Sequence, residues 1–146
     1  GPLYFKNASA GLYKGKEDIL KVKDGLFDLV IANQGIVFQI NTLGGNIADP
    51  AFEEASCYPH RQLPYLGELQ AYWDTESQES KLIAAFEEIQ TLFRNSGINA
   101  HYRNYPDINF KDWETAYYGK NYGRLQEIKR RYDKDNLFQY TQSIRV

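Results

Sequence analysis

The residues that build metal centres and disulfide frameworks are scarce in this sequence. It contains one cysteine, Cys57, and two histidines, His60 and His101. A single cysteine excludes an internal disulfide framework, and no Cys/His spacing suits a zinc site. The sequence therefore predicts a protein that binds no metal ion.

Excess charge and long apolar segments are also missing. Lysine and arginine number 17 against 19 aspartate and glutamate, for a net charge of -2, which gives no electrostatic footprint for nucleic acid. No apolar run approaches the about 20 residues that a membrane helix needs. We expect neither a nucleic-acid partner nor a membrane segment. No signal-peptide pattern is found, and secreted and cytoplasmic locations both stay open.

Tyrosine is the residue in excess. The 146 residues include 12 Tyr, 8 Phe and 2 Trp, so that aromatic residues make up 15% of the chain. Tyrosine combines an apolar ring with a polar hydroxyl, which suits partly solvated pockets and interfaces. A binding cleft and a tyrosine-rich core both explain this composition.

Helical and strand patterns alternate along the chain. Apolar residues at intervals of three and four predict the strongest helix at 79–95. Further helices are predicted at 16–29, 113–118 and 121–132, strands at 35–42, 65–73 and 98–105, and an irregular loop at 44–64. This order predicts the α+β class, with an antiparallel sheet that has helices packed on one face, plus C-terminal helices.

Two of the predicted strands carry polar side chains that could form a site. In strand 65–73, alternation places Glu68 and Gln70 on the same face. In strand 98–105, Tyr102 and Asn104 share one face, whereas Tyr105 points to the other just before a proline ends the pairing. A phenol at a strand end can overhang a cleft, but the residues alone favour packing of its ring in the core or at a rim.

The last third of the chain carries a dense motif. Residues 113–144, WETAYYGKNYGRLQEIKRRYDKDNLFQYTQSI, resemble the C-terminal signature of the berberine bridge enzyme-like oxidases, a branch of the FAD-linked oxidases. Upstream elements resemble that family in the same order: YFKNASA at 4–10, NTLGGNIAD at 41–49, CYPHR at 57–61 and RNYPD at 103–107. The resemblance thus covers nearly the whole chain.

The resemblance implies a partial domain of an FAD-linked oxidase. Residues 1–108 would be the C-terminal half of its substrate-binding domain, and 109–146 a C-terminal segment that docks on the FAD-binding domain. The implied reaction moves a hydride from an alcohol-type substrate (a sugar, glycoside or secondary metabolite) to FAD, and O2 reoxidises the flavin.

The segments that hold FAD in this family precede the part that matches. The FAD-binding domain of the same enzyme is therefore an expected partner, and the isolated chain is expected to be inactive. An incomplete sheet would expose an edge, so we also expect self-association. The alternative function is a non-catalytic binding or assembly module that retains the fold.

Family positions also imply individual roles. Tyr105 matches a tyrosine that serves as catalytic base in several members of the family. Glu68 matches a position whose side chain acts in the active site. Substrate binding is implied for Gln70, Tyr102 and Asn104, and cofactor binding for Asn104, Tyr105 and Asn121. For Glu68, a solvent-exposed sheet face is the competing interpretation.

Other candidates are assigned to structure. His60 and Arg61 are interpreted as tying down the irregular loop. Tyr117, Tyr118 and Tyr122 fall at helical spacing, which favours packing over a pocket.

Overall fold

A computed structural model describes residues 3–146. This range contains strands β1 (Tyr4–Tyr13), β2 (Ile36–Thr42) and β3 (Tyr65–Trp73), and helices α1 (Lys16–Leu20), α2 (Lys23–Ala32), α3 (Glu76–Asn95), α4 (Trp113–Tyr118) and α5 (Tyr122–Tyr132). Two short 3-10 turns interrupt the predicted loop at 44–64. None of the helices in residues 3–146 is long and apolar enough to cross a membrane.

The sheet has the order β1-β3-β2, with β3 antiparallel to both neighbours. Leu69 and Ala71 of β3 point toward α3, whose Phe86, Ile89 and Phe93 are fully buried against the sheet. Burial of each such side chain contributes roughly 1.5–3 kcal/mol. The predicted fold class, an antiparallel sheet with helices on one face, is confirmed.

Helix α3 begins three residues earlier than the sequence predicts. Thr75 and Gln78 form a capping box, in which each side chain satisfies a backbone N–H of the other residue. Glu76 and Glu79 lie in the first turn, where a negative charge is favourable. The acidic residues just before the predicted helix are therefore part of its first turn.

The helix predicted at 16–29 is divided into α1 and α2 by a turn at Lys21–Val22. Gly25, a residue of low helix propensity, lies inside α2 against Leu92. The turn places both Val22 and Leu26 in the core, where each is 1% exposed. The interruption lies before Gly25, so the low helix propensity of glycine does not mark the place where the helix is interrupted.

The prediction of a strand at 98–105 is wrong. This segment is irregular and touches β1 through two backbone hydrogen bonds, from Leu12 N to Ala100 O and from Ser9 N to Tyr105 O, both 2.9 Å long. The register of β1 shifts between Ser9 and Leu12, where Gly11 has a φ of 98°. This bulge prevents a regular ladder, and the segment follows β1 without joining the sheet.

The C-terminal segment folds against the irregular segment. Trp113, Ala116 and Tyr117 form a second buried cluster. The backbone N–H of His101 donates to Ala116 O at 2.9 Å, and Gln142 Nε2 donates to Asp107 O at 2.7 Å. The predicted domain boundary at residue 108 stays a prediction.

Strand β2 generates a prediction about self-association. On one side it pairs with β3, and no other strand of residues 3–146 pairs with its other side. Val37 on this strand is 43% exposed. An exposed edge with apolar side chains favours strand addition, and a lysine there opposes it. We expect the chain to self-associate in sedimentation velocity, and Val37→Lys to shift it toward the monomer.

Ala84→Lys is the matched control, because it adds the same charge at an exposed position of α3. A wild-type chain that sediments as a monomer at every concentration would contradict this prediction.

Candidate functional site

A cleft of about 660 Å³ opens between the sheet, the loop after Cys57 and the start of the C-terminal segment. Strand β2 contributes Gln39 and Asn41, and β3 contributes Leu66. Five tyrosines share the lining: Tyr58, Tyr102, Tyr105, Tyr117 and Tyr118. The excess of tyrosine in the sequence is therefore concentrated at a cleft as well as in the core.

Ser9 in β1 fixes the turn that carries the central tyrosines. Its Oγ accepts a hydrogen bond from Tyr102 N at 3.0 Å, and its own N–H donates to Tyr105 O at 2.9 Å. The turn is closed internally by Tyr105 N, which donates to Tyr102 O at 3.0 Å. Ser9 is fully buried, so one residue without solvent contact holds both ends of the turn.

Tyr102, Asn104 and Tyr105 come together on the wall of the cleft. The rings of Tyr102 and Tyr105 meet edge to face, with centroids 5.4 Å apart. Asn104 Nδ2 donates to the Tyr102 hydroxyl at 2.9 Å. The prediction that Tyr105 points away from the other two is wrong, because a turn replaces the alternation of a strand.

The surroundings of Tyr105 keep its phenol protonated. Burial raises its pKa above the usual value, and the negative charge of Glu68 and the neighbouring Tyr102 raise it further. A phenol accepts a proton only after it has lost its own, so these influences oppose a role as base at neutral pH.

Glu68 lies at the centre of a polar network on the face of the sheet that α3 leaves free. Its Oε1 accepts from Asn7 Nδ2 at 2.6 Å and from Gln70 Nε2 at 2.9 Å. Its Oε2 accepts from Gln39 Nε2 at 3.0 Å, so all three strands contribute a donor. Glu68 is only 5% exposed, which excludes the solvated-face interpretation.

Neither Glu68 nor Gln70 is among the residues that line the cleft in the described part of the chain. The network instead holds the sheet surface beside the tyrosines. The catalytic role of Glu68 and the substrate-binding role of Gln70 stay predictions.

Asn121 lies outside the cleft. It lines a neighbouring cavity of about 510 Å³, and its Nδ2 donates to Cys57 O at 3.2 Å. Cys57 borders both cavities, so Asn121 supports the loop that forms one wall of the cleft. Its predicted contact with a cofactor stays a prediction.

Two residues that the sequence assigns to structure also border the cleft. Arg61 Nη1 donates to Asn46 O at 3.0 Å and to Ile47 O at 2.8 Å, which ties down the loop as expected. His60 is 7% exposed and meets Tyr58 edge to face. Burial lowers the pKa of His60, so its ring is neutral at pH 7.

Sequence reasoning missed Arg103, Tyr117 and Tyr118 as cleft residues. Arg103 Nε donates to the Tyr118 hydroxyl at 3.0 Å, and the Tyr117 hydroxyl accepts from Asp107 N at 3.0 Å. The helical spacing of the two tyrosines favours packing. Spacing alone does not show that one side of α4 meets a cleft, and we find no sequence signal that identifies these residues.

In residues 3–146 no group of three or more His, Cys, Asp and Glu side chains lies close enough together to hold a metal ion.

A family model described as "Berberine and berberine like" matches residues 101–145. The FAD-linked oxidoreductase YvdP of Bacillus subtilis is 36% identical over 101 residues, which are 69% of this chain and 22% of that protein. The FAD-linked oxidoreductase easE of Arthroderma benhamiae is 25% identical over 135 residues, 89% of this chain and 27% of that protein. The chain thus spans about a quarter of the length of these curated relatives.

Solved structures give the same picture. Berberine bridge enzyme from Eschscholzia californica superposes with a TM-score of 0.83 at 18% identity, over 99% of this chain and 33% of that one. The flavoenzyme CrmK, involved in caerulomycin biosynthesis, superposes with a TM-score of 0.76 at 28% identity, over 99% of this chain and 34% of that one. The fold is shared along practically the whole described chain.

The network around Glu68 generates a stability prediction. In Glu68→Gln, the charge is lost and one acceptor oxygen is replaced by an amide group that faces donors, so at least one of the three amides that bond to Glu68 loses its partner. We expect the free energy of unfolding to fall by about 1–3 kcal/mol in urea denaturation. Glu88→Gln on the exposed side of α3 is the control and should change it little. Equal stability of the two variants would show that the network is dispensable.

Proposed function

Because this chain belongs to the berberine bridge enzyme-like family of FAD-linked oxidoreductases, we propose that it forms the substrate-facing wall of a flavin-dependent oxidase site. The family match at 101–145 includes the turn with Tyr102 and Tyr105 and the cleft side of α4. The FAD-binding domain of the same enzyme is the proposed partner, because the curated relatives are about four times as long as the matched region.

The proposed substrate is a small molecule with a secondary or hemiacetal hydroxyl, such as a sugar, a glycoside or a hydroxylated secondary metabolite. FAD, when bound, would accept the hydride and pass its electrons to O2. The chain itself binds the alcohol and removes the hydroxyl proton as the carbonyl forms. Proton and hydride together account for the two hydrogens that the alcohol loses.

The cleft suits one side of a flat aromatic ring and a hydroxylated ligand beside it. Tyrosine rings supply apolar faces, and phenol and amide groups supply hydrogen bonds that orient a ligand. Residues 3–146 contain no glycine-rich turn of the kind that cradles a pyrophosphate at the start of a helix. The residues present therefore fit the ring of FAD, through Asn104 and Tyr105, and leave the phosphates to the partner domain.

The arrangement of Tyr102, Asn104 and Tyr105 is the observation that carries the proposal. Asn104 donates to the Tyr102 hydroxyl, so the proton of that hydroxyl is free to meet a ligand oxygen. The Tyr105 ring lies at 5.4 Å from the Tyr102 ring in a turn held by buried Ser9. A base and an oriented donor thus lie side by side, as proton removal from an alcohol requires.

Tyr105→Phe in the complete, FAD-loaded enzyme tests the role of the phenol. The fold should survive, since the variant loses only a hydroxyl that makes no hydrogen bond with residues 3–146. The rate constant of flavin reduction under anaerobic conditions should fall by about a hundredfold or more.

Tyr132→Phe, at a position that is 74% exposed on α5, is the matched control. A rate constant that stays the same in Tyr105→Phe would reassign Tyr105 to packing.

The pH dependence follows from the raised pKa of Tyr105. Only the deprotonated phenol accepts a proton, and a raised pKa makes this form scarce at neutral pH. Its fraction grows about tenfold per pH unit below the pKa. We therefore expect flavin reduction to accelerate from neutral to alkaline pH, as followed by stopped-flow absorbance. The rise should disappear in Tyr105→Phe, and a flat wild-type profile would contradict the assignment.

A non-catalytic binding module is the second candidate. Two observations favour it: the protonated state of Tyr105 and the complete use of the Glu68 carboxylate by amide donors. Such a module would bind the hydroxylated ligand and leave a bound flavin oxidised. Anaerobic mixing of the complete enzyme with candidate alcohols separates the two functions, because only the oxidase bleaches the flavin.

A further inference from the structure

Arg103 connects the turn at residues 102–105, the site turn, to the C-terminal segment. It stands between Tyr102 and Asn104 in the sequence and donates from Nε to the Tyr118 hydroxyl at 3.0 Å. Its Nη2 donates to the Tyr140 hydroxyl at 2.8 Å. The guanidinium also lies over the Tyr140 ring, 5.5 Å from its centroid. Hydrogen bonds and ring contacts together fix this side chain in one orientation.

This contact determines how the Tyr118 hydroxyl is used. A guanidinium has donors only, so the Tyr118 oxygen must act as the acceptor. The O–H proton of Tyr118 then has to point elsewhere, and in residues 3–146 it finds no acceptor. Tyr118 is half-buried and borders the cleft, so the cleft is where this proton can meet a partner.

The hydroxyls of the other phenols next to Tyr118 have different partners. The Tyr117 hydroxyl contacts Asp107 and Gln142, and the Tyr102 hydroxyl accepts from Asn104. Tyr118 differs because its acceptor role is filled by a cation, which makes its O–H a stronger donor.

We infer that Tyr118 is a ligand-binding residue of the cleft and that Arg103 is the positioning residue that fixes its hydroxyl as a hydrogen-bond donor. The matching group on the ligand is an acceptor oxygen, such as a carbonyl, an ether or a hydroxyl. This inference rests on the proposed function for the identity of the ligand, but not for the geometry of the donor.

The first test needs no ligand and uses this chain. Nuclear magnetic resonance of tyrosine labelled with ¹³C at Cζ follows the titration of Tyr118, which Tyr118→Phe assigns. Burial raises the pKa of Tyr118 above its usual value, the hydrogen bond from Arg103 opposes that rise, and Tyr140 and Cys57 add to it. Arg103→Gln should therefore move the titration to higher pH, and Arg103→Lys should restore part of the shift.

Arg145→Gln is the matched control. Arg145 also lies over an aromatic ring, at 5.3 Å from the centroid of Trp113, and pairs with Glu114, but it does not border the cleft in the described chain. The Arg145→Gln variant should leave the pH at which Tyr118 titrates unchanged. An unchanged titration in Arg103→Gln would overturn the inference.

The second test uses the complete, FAD-loaded enzyme with an alcohol that it oxidises. Tyr118→Phe and Arg103→Gln should each raise KM by roughly tenfold, because a hydrogen bond to the ligand is lost, with a smaller change in kcat. The double variant should be no worse than either single one, since Arg103 acts through Tyr118. Additive effects would overturn the inference. The inference would also be overturned if Tyr140→Phe raised KM as much as Arg103→Gln does. That result would mean that Arg103 acts by holding Tyr140 and the C-terminal segment in place.

The two proposals fail separately. If no alcohol reduces the flavin, or if Tyr105→Phe reduces it as fast as the wild type, the proposed function fails. The titration of Tyr118 still decides whether Arg103 fixes the donor.

Discussion

Ser9 is the residue on which the cleft depends. Its N–H donates to Tyr105 O and its Oγ accepts from Tyr102 N, while its carbonyl oxygen accepts from Gln90 Nε2 at 3.0 Å. One fully buried residue thereby joins the edge of the sheet, the long helix and the site turn. It can do so because β1 is an edge strand: β3 pairs with one side of it, and no strand of residues 3–146 pairs with the other. The backbone groups of β1 that would otherwise face an adjacent strand are then free to hold an irregular turn in a single conformation.

The two faces of β3 separate the hydrophobic core from the polar network. Leu69 and Ala71 belong to the hydrophobic core under α3, whereas Glu68 and Gln70 belong to the polar network on the other face. Burial of the Glu68 charge is tolerated because three amide donors replace its hydration. The same negative charge raises the pKa of Tyr105. The arrangement that stabilises the sheet thus also makes the proposed base a weak one at neutral pH, and the proposed chemistry has to favour alkaline conditions.

The C-terminal segment belongs to the core and to the cleft at once. Tyr117 is buried with Trp113 and borders the cleft, and Tyr118 accepts a hydrogen bond from Arg103 in the cleft lining. The region that matches the family model therefore forms a wall of the cleft and contains the site turn itself. Packing of tyrosine rings and orientation of their hydroxyls are two functions of the same residues, which explains why composition could not distinguish a tyrosine-rich core from a tyrosine-lined cleft.

The sequence by itself determined the elements in which local pattern and burial agree. Alternation located β3 and separated Glu68 from Leu69, intervals of three and four located α3, and the motif after Trp113 identified the family. Tertiary structure alone decided the rest. The β1 segment is rich in Ala, Asn, Ser and Gly, which have weak strand preference, and it becomes a strand because β3 pairs with it. Residues 98–105 have strand-like composition, yet the bulge in β1 leaves them no regular ladder to join. For this reason Tyr102 and Tyr105 share a wall, and Tyr118 meets a guanidinium that lies 15 positions earlier in the chain. Periodicity reports which residues share a face of one element, whereas a site built from turns depends on contacts between elements that are distant in sequence.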